Sequence, residues 1–311
     1  MPELPEVETV RAGLAQYLPG STVQSIDVLD ARSLKRHLAG PVDFINTLVG
    51  AKLLGVVRRG KFLWIPIQLA GEKKIHLALV GHLGMSGQML IRDAGAPADK
   101  LTRVVIHVKT SRSKKLEYRF IDQRIFGSLQ IDELVPTVDG AAGGFVPESV
   151  GDWLGLIPRS AAHIARDPLD ASFDEPAVIA KMRKKQSGIK RVLLDQGVLS
   201  GIGNIYADEA LWEAKLHYDQ PAAQISAAKL SGLLASVRGI LARAVEAGGT
   251  SFDEQYKNVN GESGYFEVSL NAYGQTGKPC NRCGKPIKRD SWMNRGSHFC
   301  PNCQKLAKST R

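Results

Sequence analysis

All four cysteines of the chain fall near its C-terminal end, as CNRC at 280–283 and CPNC at 300–303, with sixteen residues between the pairs. A Cys-x-x-Cys turn aims two thiolates at one point, and two such turns at this separation supply the four soft ligands of a tetrahedral zinc. Redox dithiols or disulfides are the competing use and are disfavoured in a chain of cytosolic character. About forty residues surround Cys280, Cys283, Cys300 and Cys303, too few for a core that would fold unaided. One structural Zn2+ is therefore predicted to hold residues 272–311 together as a finger. Such a finger presents Arg282, Lys285, Lys288, Arg289 and Arg295 to whatever it meets.

What it meets is predicted to be a polyanion. The chain carries 41 Lys and Arg against 31 Asp and Glu, a net charge of +10, and residues 181–191 (KMRKKQSGIKR) concentrate it. Charge alone favours nucleic acid only modestly over a solvated basic surface. A length of 311 residues with 43% hydrophobic content accommodates two domains, each with its own core. No run approaches the roughly 18 apolar residues of a membrane span, and the first residues lack the basic start of a signal peptide. A cytoplasmic protein is expected, nucleoid-associated by function, and a monomer by default.

The opening MPELPEVETV places Pro5 at a helix start with Glu6 and Glu8 in the positively polarised first turn. Leu4, Val7, Val10, Leu14 and Leu18 then recur at helical spacing. That accounts for Pro5 and leaves Pro2 without a purpose. Period-two alternation follows in STVQSIDVLD, AKLLGVVRRGKFLWIPI, KKIHLALVGHLG, TRVVIHVKT and KLEYRFID, the pattern of antiparallel strands. Arg59 and Gly60 read as a hairpin turn with Lys61 opening the return strand, and GHLGMSG as a loop. From residue 138 the pattern dissolves into Gly, Ala and Pro, and beyond 166 helical periods take over. The reading is an α+β multidomain chain. Residues 1–137 form an antiparallel β-sandwich flanked by the first helix, 138–166 a connection, 167–271 a helical domain and 272–311 the finger.

Within the helical part, VLSGIGNIYADEALW runs from a glycine-rich turn straight into a helix, with Asn204 as a good N-cap. Glycines beside a helix N-terminus let a phosphate approach free N–H groups. A structural helix-turn-helix corner explains the same residues about equally well.

Taken in order, MPELPEVET, RRGKFL at 58–63, HLGMSG at 82–87, DQRIFG at 122–127, GIGNIYADEALW at 201–212 and the four-cysteine tail resemble the formamidopyrimidine-DNA glycosylase family over nearly the whole chain. The opening resembles this branch more than the related endonuclease VIII branch, which usually has glycine where Leu4 stands. The resemblance implies a bifunctional base-excision enzyme with a helix-two-turn-helix domain, acting on double-stranded DNA that contains oxidised purines, chiefly 8-oxoguanine opposite cytosine and formamidopyrimidines. An oxidised-pyrimidine preference and a zinc-bearing damaged-DNA-binding protein without catalysis are the alternatives.

It also implies a purpose for Pro2. With the start methionine removed, its secondary amine is the nucleophile that attacks the sugar C1′ and forms an iminium. An α-amino group titrates about 2 to 3 units below lysine, so far more of it is neutral at pH 7. The iminium's positive charge permits β- and then δ-elimination of the phosphates. Glu3 is implied as the proton donor to the opening sugar ring, a role a partly desolvated carboxyl can fill; without Pro2 it would read as a solvated first-turn acid. Lys61 and Arg295 are implied as phosphate contacts and proton donors, and Asn204 as a phosphate contact. Met85, Arg124 and Phe126 are implied as the residues inserted where the damaged nucleotide leaves the stack. Taken alone, Met85 and Phe126 would more often be core and Arg124 a surface charge. Residues 256–265 correspond to the family's loop over the extruded base. Gln275 and Ile125 stand where relatives often carry arginine.

Overall fold

Pro5 and a capping box start the first helix, α1 (Leu4–Ala15): Glu3 is its N-cap, and Glu6 accepts the Glu3 N–H at 2.8 Å. The computed structural model describes residues 2–147, 149–249 and 270–307. Met1 and residues 256–265, for which expectations were given above, lie outside them. The chain divides into two compact units between His163 and Ile164.

In the first unit β1 (Thr22–Val28), α2 (Gly40–Leu48), β2 (Lys52–Leu53), β3 (Val57–Arg59), β4 (Phe62–Gln68) and β5 (Leu77–His82) follow α1. Next come β6 (Gly87–Asp93), β7 (Thr102–Lys109), β8 (Lys115–Asp122), β9 (Ser128–Pro136) and β10 (Leu156–Pro158). The ten strands pair antiparallel in the order β10-β9-β5-β4-β2-β1-β7-β8-β6, with β3 added to β4. Val23 and Ile26 of β1, Val104 and Ile106 of β7 and Tyr118 and Phe120 of β8 share one core with Leu63 and Ile65 of β4 and Leu79 of β5. The two halves of the sheet thus face each other across a single apolar layer, the antiparallel sandwich expected from the alternation. Leu14 and Leu18 seal it from the helical side.

Strand β4 reads FLWIPIQ, without the polar alternation of a one-sided strand, because its outer face is buried as well. Trp64 on that face, with Ala78 and Val80 of the neighbouring β5, packs against Trp153, Ile157 and Ala161. Those partners come from the Gly- and Pro-rich stretch read above as a connection. As far as His163 it belongs to the first unit, where it pairs β10 with β9 and bridges Phe145 to Arg58. Few of its residues alternate, so neither period reveals it.

The second unit contains α3 (Glu175–Arg183), α4 (Ile189–Leu193), α5 (Asn204–Glu213), α6 (Ala227–Glu246) and the hairpin β11 (Lys288–Trp292)–β12 (Arg295–Phe299). Leu230, Leu233, Leu234, Val237, Ile240, Leu241 and Ala244 form the buried stripe of α6, at the 3- and 4-residue spacing of a core-facing helix. Helices α4 and α5, joined by the turns of 194–203, make the helix-two-turn-helix.

Candidate catalytic and nucleic-acid-binding site

Pro2 and Glu3 sit at the head of α1, both buried. The helix is fixed in rotation by a carboxylate in its first turns. Glu8 accepts from Arg58 Nε at 2.8 Å and lies 2.9 Å from an Arg11 guanidinium nitrogen, all three groups buried. Both guanidinium groups also lie over the Phe145 ring. Since Arg58 is in β3, the same bonds seat α1 on the hairpin that bears Lys61. The tight turn of that hairpin is Gly60–Lys61, one residue later than the sequence suggested. Arg59 pairs with Phe62, and Gly60, at φ +56°, takes the first turn position that a II′ hairpin reserves for positive φ. Lys61 therefore stands at the tip, half-buried.

Met85, Arg124 and Phe126 are brought together by a second device. Asp122, 0% exposed, ends β8 and faces back into its own loop. Its carboxylate accepts from Ser86 Oγ at 2.5 Å, Arg124 N at 3.1 Å and Gly127 N at 2.7 Å, welding the 82–87 loop to the 122–127 loop. The loops touch backbone to backbone: a Cβ on Gly84 would lie 2.5 Å from Gly127 N. This closeness is why glycine stands at 84 and at 127. On the outside of the weld Met85 is 38% and Phe126 47% exposed, with the Arg124 guanidinium 4.6 Å from the Phe126 ring centre. Core packing, the ordinary use of Met and Phe, is excluded for both.

Between Arg124 and Phe126, Ile125 holds φ +54°. For a β-branched residue this left-handed conformation costs about 1–2 kcal/mol. His82 accepts the Gly84 N–H at 3.1 Å and packs edge-on against Phe62. Burial, followed by the cations Arg36, Lys35 and Lys61, pushes its imidazole down to about 4. His82 is therefore neutral at physiological pH, and three cations converge near the loop weld.

In the second unit Gly203, not Asn204, occupies the N-cap of α5. Asn204 is the first helical residue, and its side-chain Nδ2 donates to the Gly296 carbonyl at 3.1 Å, next to the exposed Arg295. Asn204 and Arg295, two of the three residues implied as phosphate contacts, thus stand close together at the junction of helix corner and finger. A buried network holds that junction. Lys190 Nζ, with a side chain 0% exposed, lies 2.6 Å from Asp208 Oδ1 and donates to Gly296 O and Ser297 Oγ. Asp208 Oδ2 accepts from His298 N at 2.9 Å and lies 3.0 Å from His298 Nδ1. One residue on, Glu209 accepts from the backbone N–H groups of Asn271, Ala272 and Tyr273 at 2.8–2.9 Å. Burial holds its carboxyl above the ordinary range against those three bonds. One turn further, Trp212 Nε1 donates to Cys280 Sγ at 3.4 Å. Within ADEALW, Asp208, Glu209 and Trp212 form the face of α5 that grips the finger. These residues were quoted above as a motif without a role, as were Ser86, Asp122 and His82. Ser86 and Asp122 are 36 residues apart, and Asp208, Glu209 and Trp212 meet partners 62 to 90 residues away, so no spacing rule reaches these pairings.

The four cysteine sulfurs lie within 4.8 Å of one another, with Cys283 and Cys300 Sγ 3.5 Å apart. A tetrahedron of zinc–sulfur bonds of about 2.3 Å has edges of about 3.8 Å, so the thiol set fits one zinc. Among the described residues no other group of three or more metal-ligating side chains comes together.

A sheet unit headed by a buried proline–glutamate pair, a helix-two-turn-helix and a four-thiolate finger define a zinc-bearing DNA-repair glycosylase. Three family models match: the formamidopyrimidine-DNA glycosylase N-terminal domain over residues 1–129, the H2TH domain of the same enzymes over 164–255, and a zinc finger found in FPG and IleRS over 277–306. The chain is 53% identical over 308 residues to the formamidopyrimidine-DNA glycosylase of Leifsonia xyli, covering 98% of this chain and 100% of that one. It is 46% identical over 310 residues to the Streptomyces coelicolor enzyme, covering 100% of both. Among solved structures, Lactococcus lactis Fpg with abasic-site DNA superposes with a TM-score of 0.78 at 30% identity, over 97% of this chain and 99% of that one. The same protein with Fapy-dG-containing DNA gives 0.76 at 30% identity, over 97% of this chain and 100% of that one. The chain belongs to the formamidopyrimidine-DNA glycosylase family.

Proposed function

We propose that the protein excises oxidised purines, 8-oxoguanine opposite cytosine and formamidopyrimidines, from duplex DNA in the cytoplasm, and then cuts the strand through an iminium on Pro2. The observation that carries this is the seating of α1. Glu8 and Arg58 bind α1, the helix that Pro2 and Glu3 lead into, to the hairpin of Lys61. With Met1 attached, the Pro2 nitrogen is an amide and its lone pair is delocalised. Removal of Met1 leaves a secondary amine able to attack C1′, a group that binding alone does not need.

Attack of that nitrogen on C1′ expels the damaged base. Glu3 gives a proton to the sugar ring oxygen as the ring opens, and the iminium then acidifies the adjacent C2′–H so that the 3′ phosphate leaves. A second elimination releases the 5′ phosphate, and Arg295 supplies a proton there. Lys61, Asn204 and Arg295 hold phosphates, and Arg124 donates hydrogen bonds to the orphaned cytosine while Met85 and Phe126 replace the lost stacking. The weld at Asp122 supports this division of labour, since it exposes two apolar side chains and a guanidinium on one rigid edge.

Borohydride trapping on a duplex with one 8-oxoguanine opposite cytosine, followed by peptide mapping, tests the proposal. An adduct on Pro2 is expected. Tight binding of the duplex with no adduct, by protein whose methionine is removed and whose zinc is bound, would move the assignment to another lesion or to binding alone.

A further inference from the structure

Lys35 lies 90 residues from Ile125, yet its ammonium donates to the Ile125 carbonyl at 2.6 Å. That carbonyl belongs to the one residue between Arg124 and Phe126, held at φ +54° where β-branched side chains are seldom found. A strained turn persists only if its surroundings over-determine it. Asp122 fixes the amides on either side, Arg124 N and Gly127 N. The carbonyl between them is secured from the 3-10 turn Ala31–Leu34, for which Lys35 is the C-cap.

The same turn reaches the loop a second time. Its N-cap, Asp30, pairs with Arg103 at 3.3 Å, and Arg103 Nε donates to the Asp122 carbonyl at 2.8 Å. The turn 30–35 is thus tied to the loop at its start, through Asp122, and at its strained residue, Ile125, and nothing in the proposed chemistry uses it. We propose that Lys35 is a positioning residue, a strut that holds the Arg124–Phe126 edge in its strained turn and thereby sets how well the enzyme discriminates the base opposite the lesion. This rests on the reading of 122–127 as the inserted edge.

The readout is the ratio of kcat/KM for 8-oxoguanine opposite cytosine to that opposite adenine. Lys35→Met should lower this ratio about three- to tenfold, the range of a charge-assisted hydrogen bond that is partly screened. Lys35→Arg, which can still donate to the carbonyl, should keep it within about twofold. Asparagine tolerates the left-handed conformation far better than isoleucine. In an Ile125→Asn background, then, Lys35→Met should cost less than about twofold. An equal loss in both backgrounds would overturn the proposal. So would a loss of affinity for undamaged duplex with a salt slope shallower by about one, since that marks Lys35 as a phosphate ligand. Arg124→Ala separates the premises: if it leaves the ratio untouched, the reading of the loop as inserted edge fails, and the strut with it.

Discussion

Glu3 accepts a backbone N–H in a capping box and is 2% exposed, so one side chain combines a helix-starting role with the proposed proton donation. Glutamine preserves the cap's acceptor and removes the acid. Glu3→Gln should therefore lower excision by about 100-fold or more while leaving duplex affinity and thermal stability nearly unchanged, as single-turnover kinetics beside binding would show. A parallel loss of stability would mean the cap was its only duty. His82 offers a second test at this scale, in the pH dependence of stability. Its folded-state value of about 4 lies below the ordinary 6.5, so between the two the unfolded chain binds more protons than the folded one. Stability should hold above about pH 6.5 and fall as the pH drops toward 4, by roughly 3 kcal/mol at most. His82→Gln should flatten that part of the curve in denaturant titrations; an unchanged slope would place the proton uptake elsewhere.

At the level of elements, the zinc finger is gripped chiefly by α5, with Lys190 of α4 beside it. Asp208, Glu209 and Trp212 bind respectively the β12 strand, the 271–273 turn and the first cysteine pair. The Lys190–Asp208 pair is the costliest part to disturb, since both side chains are at most 1% exposed. Removing one charge from a buried pair leaves the other uncompensated, at about 3–5 kcal/mol. Asp208→Asn should destabilise the second unit by that order in a thermal melt. It should also weaken DNA binding, because Gly296, the partner of Asn204 and neighbour of Arg295, loses its anchor. An unchanged melting temperature would show that the ammonium is satisfied by Gly296 and Ser297 alone. In the first unit the equivalent device is Asp122, whose three bonds join two loops that separate strands place in register.

Over the whole molecule, the net charge of +10 becomes a binding term that salt weakens. Each neutralised phosphate contributes about 0.9 to the slope of log affinity against log salt. Lys61→Met should reduce that slope by about one unit and weaken damaged and undamaged duplex alike. An effect confined to the cleavage rate would remove Lys61 from the phosphate contacts and leave it to proton transfer.

Much of this protein is written locally. The spacing of Cys280, Cys283, Cys300 and Cys303, the stripe of α6, the alternation of β7 and β8 and the proline after the start methionine each depend on near neighbours. Periodicity and ligand chemistry therefore read them without knowledge of the fold. Pairings across the chain do not have that property. That Glu8 would meet Arg58, Asp122 would meet Ser86, Lys190 would meet Asp208 and Lys35 would meet Ile125 depends on which strands and loops lie side by side. Residues 138–163 make the same point: their glycines and prolines carry no period, and only the outer face of β4, with Trp64 to be covered, turns them into a wall of the first unit. Backbone geometry is local enough to leave a mark in sequence, whereas a buried charge finds its partner only after the core has closed and water has gone.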